Sequence, residues 1–215
     1  MQNDLHANVT AELDWDPRVD NSDVAVAGHE GAVTLRGSVG NLRQMREAQH
    51  AARRVRGATS VSNYLRVRAP ADGTGVDSDV GNAVRQALML NATIPATIHA
   101  DVANGVVHLA GTATWHCQRE EAEFSCAAVS GVRGIADEIA LIPVPARDDI
   151  QKSIISAYRR NASLTRHLLS VDALASGIVI LSGAVTSWRE HDDAVATAWS
   201  APGVTRVDDR ILIVG

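Results

Sequence analysis

Four arginines on one predicted helix are the residues of this sequence best suited to bind a ligand. A helical wheel at 100° per residue places them on one arc, opposite an arc of apolar residues: Arg43, Arg46, Arg53 and Arg54. Several guanidinium groups on one arc pair well with phosphate oxygens. We therefore predict an anionic phospholipid surface as the ligand. The alternative is that this arc is the solvated face of an ordinary amphipathic helix.

Other residues with reactive or anchoring side chains give weaker signals. His108, His116 and Cys117 are close in sequence, but no HxxxH, HExxH or CxxC spacing is present, so we expect no metal site. The sequence has no Gly-x-Ser-x-Gly elbow, no Walker loop and no GxGxxG motif, so we expect neither catalysis nor a cofactor. Trp115 and Trp188 begin a predicted helix, where a tryptophan either anchors at a membrane interface or covers its own small core.

Composition and charge narrow the class of protein. With 46% hydrophobic and 21% charged residues in 215, the chain should fold as a globular protein. The net charge is −5, and residues 71–145 carry the excess acid, with three basic and nine acidic side chains. Because the basic surface is confined to one helix of an acidic chain, nucleic acid is not an expected partner.

No segment has the pattern of a membrane span or an export signal. No apolar run reaches the roughly 18 residues that a transmembrane helix needs. The first residues lack the basic and apolar regions of a signal peptide. We therefore expect a cytoplasmic location, and a periplasmic one only if an export signal is missing from this sequence.

A strand signature that occurs three times organises the chain. The pattern Gly-x-Val-x-Leu-x-Gly lies at residues 31–37, 105–111 and 177–183, and a further glycine follows each closing glycine by twenty residues. The offsets between copies are 74 and 72 residues, which suits small domains better than solenoid units. We predict domains at residues 1–70, 71–145 and 146–215. The repeated glycines, which we expect to be structural, are Gly31, Gly37, Gly57, Gly105, Gly111, Gly131, Gly177, Gly183 and Gly203.

Apolar periodicity predicts the elements around each signature. Each repeat opens with an amphipathic helix whose stripe is spaced i, i+4, i+8, preceded by a candidate capping residue: Asp4, Asp79 or Asp149. The sequence Trp15-Asp16-Pro17 should end the first of these helices. A hairpin, a second helix and a third strand follow, with linkers predicted at 69–75 and 143–145. The predicted class is α+β, with three tandem αββαβ domains, each a three-stranded mixed sheet packed on two helices.

The second helix of each repeat should span about residues 41–55, 115–129 and 187–200. Its core arc in the first repeat is formed by Met45, Ala48, Ala52 and Val55. The outer arcs of the second and third repeats are more apolar, which suits packing between repeats and leaves the arginines of the first copy facing outward. On the same wheel Cys126 falls on the core arc and Cys117 does not, so we predict that only Cys126 is buried and that the two cannot pair.

These residues resemble a known family. The repeated signature, together with 188–194, 199–204 and 207–213, is similar to the BON domain, which is named for bacterial osmotically inducible and nodulation proteins. Residues 13–17 also resemble this family's helix end, and Asn63 stands where the family often has Asn, with Asp137 and Asp209 as counterparts. The resemblance covers all three repeats.

The resemblance implies a non-enzymatic module. It implies binding to phospholipid membranes or support of the cell envelope under osmotic stress, and some members of the family are associated with ion sensing. A soluble adaptor or oligomerising scaffold that binds protein partners is the alternative from another class.

Overall fold

The computed structural model describes residues 2–68, 77–142, 149–162, 164, 169–174 and 176–214. Each repeat has the same order of elements, and in each the middle strand of the sheet is the one that carries the glycine signature. The three αββαβ repeats and the α+β class are thereby confirmed. The elements are α1 (Gln2–Trp15), β1 (Val24–His29), β2 (Ala32–Val39), α2 (Leu42–Arg54) and β3 (Ser60–Val67); α3 (Asp77–Leu90), β4 (His99–Ala103), β5 (Val106–Ala113), α4 (His116–Ala127) and β6 (Gly134–Leu141); α5 (Ile150–Arg160), β7 (Ser170–Ala173), β8 (Ile178–Val185), α6 (Trp188–Trp199) and β9 (Arg206–Ile213).

Each sheet combines an antiparallel hairpin with a parallel crossover. In repeat 1, β1 pairs antiparallel with β2, and β2 pairs parallel with β3 across α2. Val33 and Leu35 of β2 are fully buried, whereas their neighbours in the strand are not. Period-2 alternation therefore gives the sheet one face toward the helices and one face away from them.

The hydrophobic cores of repeats 1 and 3 each lie within one repeat. One cluster joins α1, α2 and the strands of repeat 1, with Val9, Leu13 and Ala52 at its centre. A separate cluster joins α5, α6 and the strands of repeat 3, around Ile154 and Leu181. By its contacts the chain forms two compact units, Met1–Gly111 with Gln118–Ala140 and Thr112–Cys117 with Leu141–Gly215.

The signature glycines occupy backbone positions that side chains avoid. Gly37 and Gly111 have φ values of 122° and 119°, and a Cβ atom at either would overlap the carbonyl oxygen of Asp23 or Thr97, just before the neighbouring strand. The spacing of the repeat thus reflects backbone geometry. The glycines with positive φ are Gly31, Gly37, Gly57, Gly105, Gly111, Gly131, Gly177, Gly183 and Gly203.

Helix boundaries agree with the sequence except at two starts. Asp149 caps α5 by accepting hydrogen bonds from the backbone N–H groups of Gln151 and Lys152, as expected. The caps predicted at Asp4 and Asp79 are wrong, because α1 begins at Gln2 and α3 at Asp77, which places both residues inside their helices. In α3 the earlier acid, Asp77, instead accepts hydrogen bonds from the N–H groups of residues 104 and 105. The predicted linkers at 69–75 and 143–145 lie outside the described residues.

The helix wheel of the second helices is confirmed. Helices α2, α4 and α6 fall within the spans predicted for them. Ala48 and Ala52 are fully buried, and Met45 and Val55 pack against the same core. Cys126 is buried and Cys117 is exposed. The burial raises the pKa of the Cys126 thiol to about 12.

Candidate functional site

Helix α2 begins at an Asn41 cap, whose side chain accepts a hydrogen bond from the N–H of Gln44. From that start, Ala48, Ala51 and Ala52 face the core of repeat 1, so the arginine arc points away from it. The arginines therefore lie on the arc where the sequence placed them, but their guanidinium groups have different surroundings.

Arg54 is held by acidic residues at the end of α1. Its Nη2 donates to Oδ2 of Asp16 at 2.8 Å and its Nε to Oε1 of Glu12 at 2.9 Å. Arg18 also binds Asp16 through two donors, at 2.9 and 2.7 Å, and reaches Glu47 at 2.9 Å. Asp16 is only 5% exposed, and hydrogen bonding, first from Arg18 and also from Arg54, holds its pKa well below the ordinary value despite burial. Arg54 thus stabilises a buried carboxylate.

Arg43 and Arg46 contact helix α4 of repeat 2, within the first compact unit. Nη2 of Arg46 donates to Oε2 of Glu123 at 2.9 Å, and the guanidinium of Arg43 lies 4.0 Å from the centre of the Phe124 ring. Burial, together with a hydrogen bond to Asp137, raises the pKa of Glu123, while Arg46 lowers it. The two arginines therefore join repeat 1 to repeat 2 by an ion pair and a cation–π contact.

The four arginines do not form one open patch. Three of them have the intramolecular partners described above, and Arg53 is half-buried with an interaction of its own. Lipid binding at Arg43, Arg46, Arg53 and Arg54 stays a prediction, and a head group bound there would have to displace or share these contacts.

One position in the last strand of each repeat ties the sheet to its second helix. The side chains of Asn63, Asp137 and Asp209 each accept a hydrogen bond from the backbone N–H two residues later. Each also reaches the second helix: Asn63 donates to the carbonyl of Met45, Asp137 pairs with Arg119, and Asp209 lies 2.7 Å from Nε2 of His191. The three residues at this position, which resemble the family pattern, therefore have a local structural role.

Three of the four tryptophans, at positions 115, 188 and 199, are only partly exposed to solvent. In the second compact unit the His116 ring stacks on Trp199 with centroids 3.8 Å apart, and Trp188 makes an edge contact with His191. Trp115 is 37% exposed. Trp15 at the end of α1 is the more accessible side chain, at 83%.

A second set of arginines, which the sequence reasoning missed, lies on the sheet of repeat 1. We call the side of β1, β2 and β3 that faces away from the helices the open face. Arg36 of β2 and Arg66 of β3 are exposed there, with Tyr64 between them and 63% exposed. The Arg36 guanidinium lies 5.8 Å from the centre of the Tyr64 ring, which is its cross-strand partner. The alternation along the strands could have predicted this set from the sequence. It buries Val33, Leu35 and Leu65, so the intervening side chains, which include the two arginines and Tyr64, point outward.

Comparison with known proteins decides the family. The family profile described as BON domain matches residues 2–69, 76–143 and 146–215, which is nearly the whole chain. The chain belongs to the BON domain family. The three BON matches coincide with the three αββαβ repeats of the structure.

Two kinds of relative accompany this match. Osmotically-inducible protein Y of Escherichia coli (strain K12) is 30% identical over 140 residues, which cover 63% of this BON chain and 70% of that protein. CdsD, a structural protein of the type III secretion system of Chlamydia trachomatis, has 14% identity and a TM-score of 0.27, over 98% of this chain and 92% of that one. The periplasmic domain of the inner membrane protein PrgH from S. typhimurium has 14% identity and a TM-score of 0.20, over 95% and 100%. Both TM-scores are below 0.5, so neither solved structure supports an inference about this BON protein.

Two kinds of feature are absent from the described part of the BON repeats. None of the helices there is long and apolar enough to cross a membrane. Nor do the described His, Cys, Asp and Glu side chains come together in a group of three or more that could hold a metal ion.

Proposed function

We propose that this BON protein is a non-enzymatic component of the osmotic stress response that attaches peripherally to anionic phospholipid surfaces. Its family membership and its similarity to osmotically-inducible protein Y support the stress role. The lipid ligand is the class that the sequence resemblance implies. Attachment through surface charge alone is reversible and weakens with salt, because the Debye length is only about 8 Å at physiological ionic strength.

The observation that carries the proposal is the pairing of acidic side chains with arginines in repeat 1. Residues 1–70 contain nine arginines and eight Asp or Glu residues, so by count they are almost neutral. Four of these acids, however, are ion-paired with arginines inside the repeat: Asp16 and Glu47 with Arg18, Glu12 with Arg54, and Asp23 with Arg68. Arginines without an acidic neighbour then give part of the surface a positive potential, although the whole chain is acidic.

The experiment is flotation of the full chain with lipid vesicles. Vesicles that contain phosphatidylglycerol should carry the protein upward at low salt and release it at high salt, and vesicles of phosphatidylcholine alone should not bind it. Absence of flotation with the anionic vesicles at low salt would contradict the proposal of lipid binding.

A second candidate is an adaptor that binds a protein partner. It is favoured by apolar side chains left in solvent at the ends of the first helices of repeats 1 and 2, where Trp15, Met89 and Leu90 are 83%, 86% and 78% exposed. Substituting Trp15 and Leu90 by serine should leave flotation unchanged and abolish capture of the partner if this candidate is right.

The predicted cytoplasmic location belongs with these proposals. Fractionation of cells that express the full-length protein at its native level, with one marker protein for each compartment, tests it directly.

A further inference from the structure

We propose that the open face of the repeat 1 sheet, centred on Arg36, Tyr64 and Arg66, is the surface that contacts the head groups of an anionic phospholipid membrane. This inference rests on the proposed function and gives it a site. It transfers the lipid contact from the arginines of helix α2 to those of strands β2 and β3.

The two guanidinium groups of this face are available for a ligand. Among the residues that the structure describes, neither Arg36 nor Arg66 forms an ion pair, whereas Arg18, Arg46 and Arg54 all do. A guanidinium without a carboxylate neighbour can offer its paired N–H groups to a phosphate in the bidentate geometry that both groups favour. Binding there therefore breaks no ion pair among the described residues.

The rest of the open face suits a negatively charged plane. None of the outward residues of β1, β2 and β3 is acidic, and Thr34, Ser60 and Ser62 add hydroxyl groups around the arginines. Asp23, beside the end of this face, is already paired with Arg68 at 2.8 Å. The face therefore combines fixed positive charge with neutral hydrogen-bond donors.

Tyr64 supplies the apolar part of the contact. A tyrosine has an apolar ring and a polar tip, and such side chains concentrate at the level of the lipid head groups. Its ring lies opposite Arg36 in the strand register and two residues from Arg66, so the three side chains occupy one small area of the sheet. A surface that adds an aromatic ring at the interface to its electrostatic contacts binds a membrane more tightly than one with electrostatic contacts alone.

The same face in the other repeats does not have this charge pattern. In repeat 2 the outward residues of the sheet include His99, Asp101, His108 and Glu138, which are exposed. In repeat 3 Arg210 pairs with Asp208 of the same strand at 2.6 Å. Charge complementarity to an anionic surface is thus found on repeat 1.

The acidic sheet face of repeat 2 in a second copy of the chain is the competing occupant. Sheets that pack face to face do so through apolar inner faces. The outward residues of repeat 1 are instead mostly alanine, serine, threonine and arginine, which offer little apolar area to bury. A head-group layer requires charge and donors more than apolar area, so the observations favour the membrane.

The test is a pair of matched double variants of the full chain. R36A/R66A removes both charges from the open face of repeat 1. R206A/R210A removes the same number from the last strand of repeat 3, whose residues 206 and 210 are also exposed. Each variant is first checked for folding by circular dichroism. Affinity is then measured by flotation with vesicles of phosphatidylglycerol and phosphatidylcholine.

R36A/R66A should bind these vesicles about 30-fold more weakly than the wild type, since each basic residue near an anionic surface contributes roughly a factor of five. R206A/R210A should bind within about twofold of the wild type, because its charges lie away from the proposed contact. Y64A should show an intermediate loss of affinity, by about the same factor at every salt concentration at which the wild type still binds, because its contribution is not electrostatic.

Four results would overturn the inference. If the wild type floats and R36A/R66A floats equally well, the site is wrong while the proposed function stands. If R206A/R210A loses as much affinity as R36A/R66A, vesicle binding depends on the net charge of the protein and not on this site. If R36A/R66A changes the sedimentation coefficient at low salt and leaves flotation intact, the face binds a second copy of the chain. Failure of the wild type to float would remove the proposed function and this site together.

Discussion

Repeat 1 has two sets of arginines that can be compared, one on helix α2 and one on the open face of the sheet. Arg46 and Arg54 of the helix lie 2.9 and 2.8 Å from carboxylate oxygens of other elements. Arg36 and Arg66 of the sheet have no such neighbour among the described residues. The comparison teaches that the position of a basic residue on a helix wheel does not show whether its charge is available, because a partner from elsewhere in the fold can neutralise it.

Substituting an arginine should also have a different effect in each of the two sets. Substituting Arg46 or Arg54 of the helix set should change stability or the contact between repeats, since it leaves an acidic partner without its arginine. Substituting an arginine of the sheet set should change binding and leave stability almost unaltered. The following predictions test this division, from the largest expected effect to the smallest.

The first prediction tests the orientation of the second helices, on which the outward position of the helix set depends. Cys117 is the counterpart of Arg43 in repeat 2, and Cys126 is the counterpart of Ala52. The pKa of Cys126 is raised from 9.0 to about 12, so its thiolate at neutral pH is about a thousandfold scarcer than that of an ordinary thiol, before any steric protection is counted. Cys117 should react with a thiol reagent at least about a thousandfold faster, as measured by mass spectrometry of the native protein.

Unfolding the protein in denaturant is the control for this measurement, and it should make the two rates similar. If Cys126 were labelled first in the native protein, helix α4 would have to be rotated about its axis so that Cys126 faces solvent. The outer arc of α2 would then also need to be reassigned.

The second prediction concerns Asp16, the buried partner of the helix set. Asp16→Asn should destabilise repeat 1 by roughly 2 kcal/mol. Breaking a fully buried pair costs about 3 to 5 kcal/mol, and the half-exposed side chains of Arg18 and Arg54 reduce that figure. Hydrogen exchange read by mass spectrometry over residues 2–68 measures the effect in this repeat alone. The matched control is Asp20→Asn, an exposed acid in the same repeat, which should leave protection nearly unchanged.

Lowering the pH should destabilise repeat 1 of the wild type in the same way as Asp16→Asn does at neutral pH. The folded pKa of Asp16 lies below its ordinary value of 3.8, so its carboxylate stabilises repeat 1 above about that pH, and the contribution is lost as the pH falls through the folded value. Protection of residues 2–68 should therefore decline below pH 3.8 in the wild type and less steeply in Asp16→Asn. Equal slopes would show that Asp16 does not carry the acid sensitivity.

The third prediction concerns the contact between repeats 1 and 2. Arg46→Ala should lower the stability of the contact between α2 and α4 by about 0.5 to 1 kcal/mol, since both side chains of the Arg46–Glu123 pair are partly exposed. A double-mutant cycle with Glu123→Gln, again followed by hydrogen exchange of these helices, isolates the pair. Arg66→Ala from the sheet set should leave their protection unchanged within the error of the measurement. A loss in Arg66→Ala equal to that in Arg46→Ala would erase the distinction between the two sets.

Much of the fold follows from local pattern. The glycine spacing predicted three αββαβ repeats, and the reason is steric: only glycine fits at positions such as Gly37, where a side chain would meet the neighbouring strand. The helix wheel predicted the burial of Ala48, Ala52 and Cys126, because a regular helix turns the same side of its surface to the core at each turn. These features depend on residues near one another in sequence, so the sequence by itself determined them.

The candidate site depends on partners that are distant in sequence, and only the tertiary structure decided it. Asp16 lies 38 residues from Arg54, and Glu123 lies 77 residues from Arg46. A helix wheel gives the direction of a side chain but not what faces it, so the sequence could not show that these charges are paired. The alternation of β2 and β3 likewise turns Arg36 and Arg66 outward, whereas the absence of a described carboxylate beside them depends on where every other element packs. Because Coulomb interactions depend on distance in space rather than along the chain, the tertiary structure determines which arginines keep an available charge.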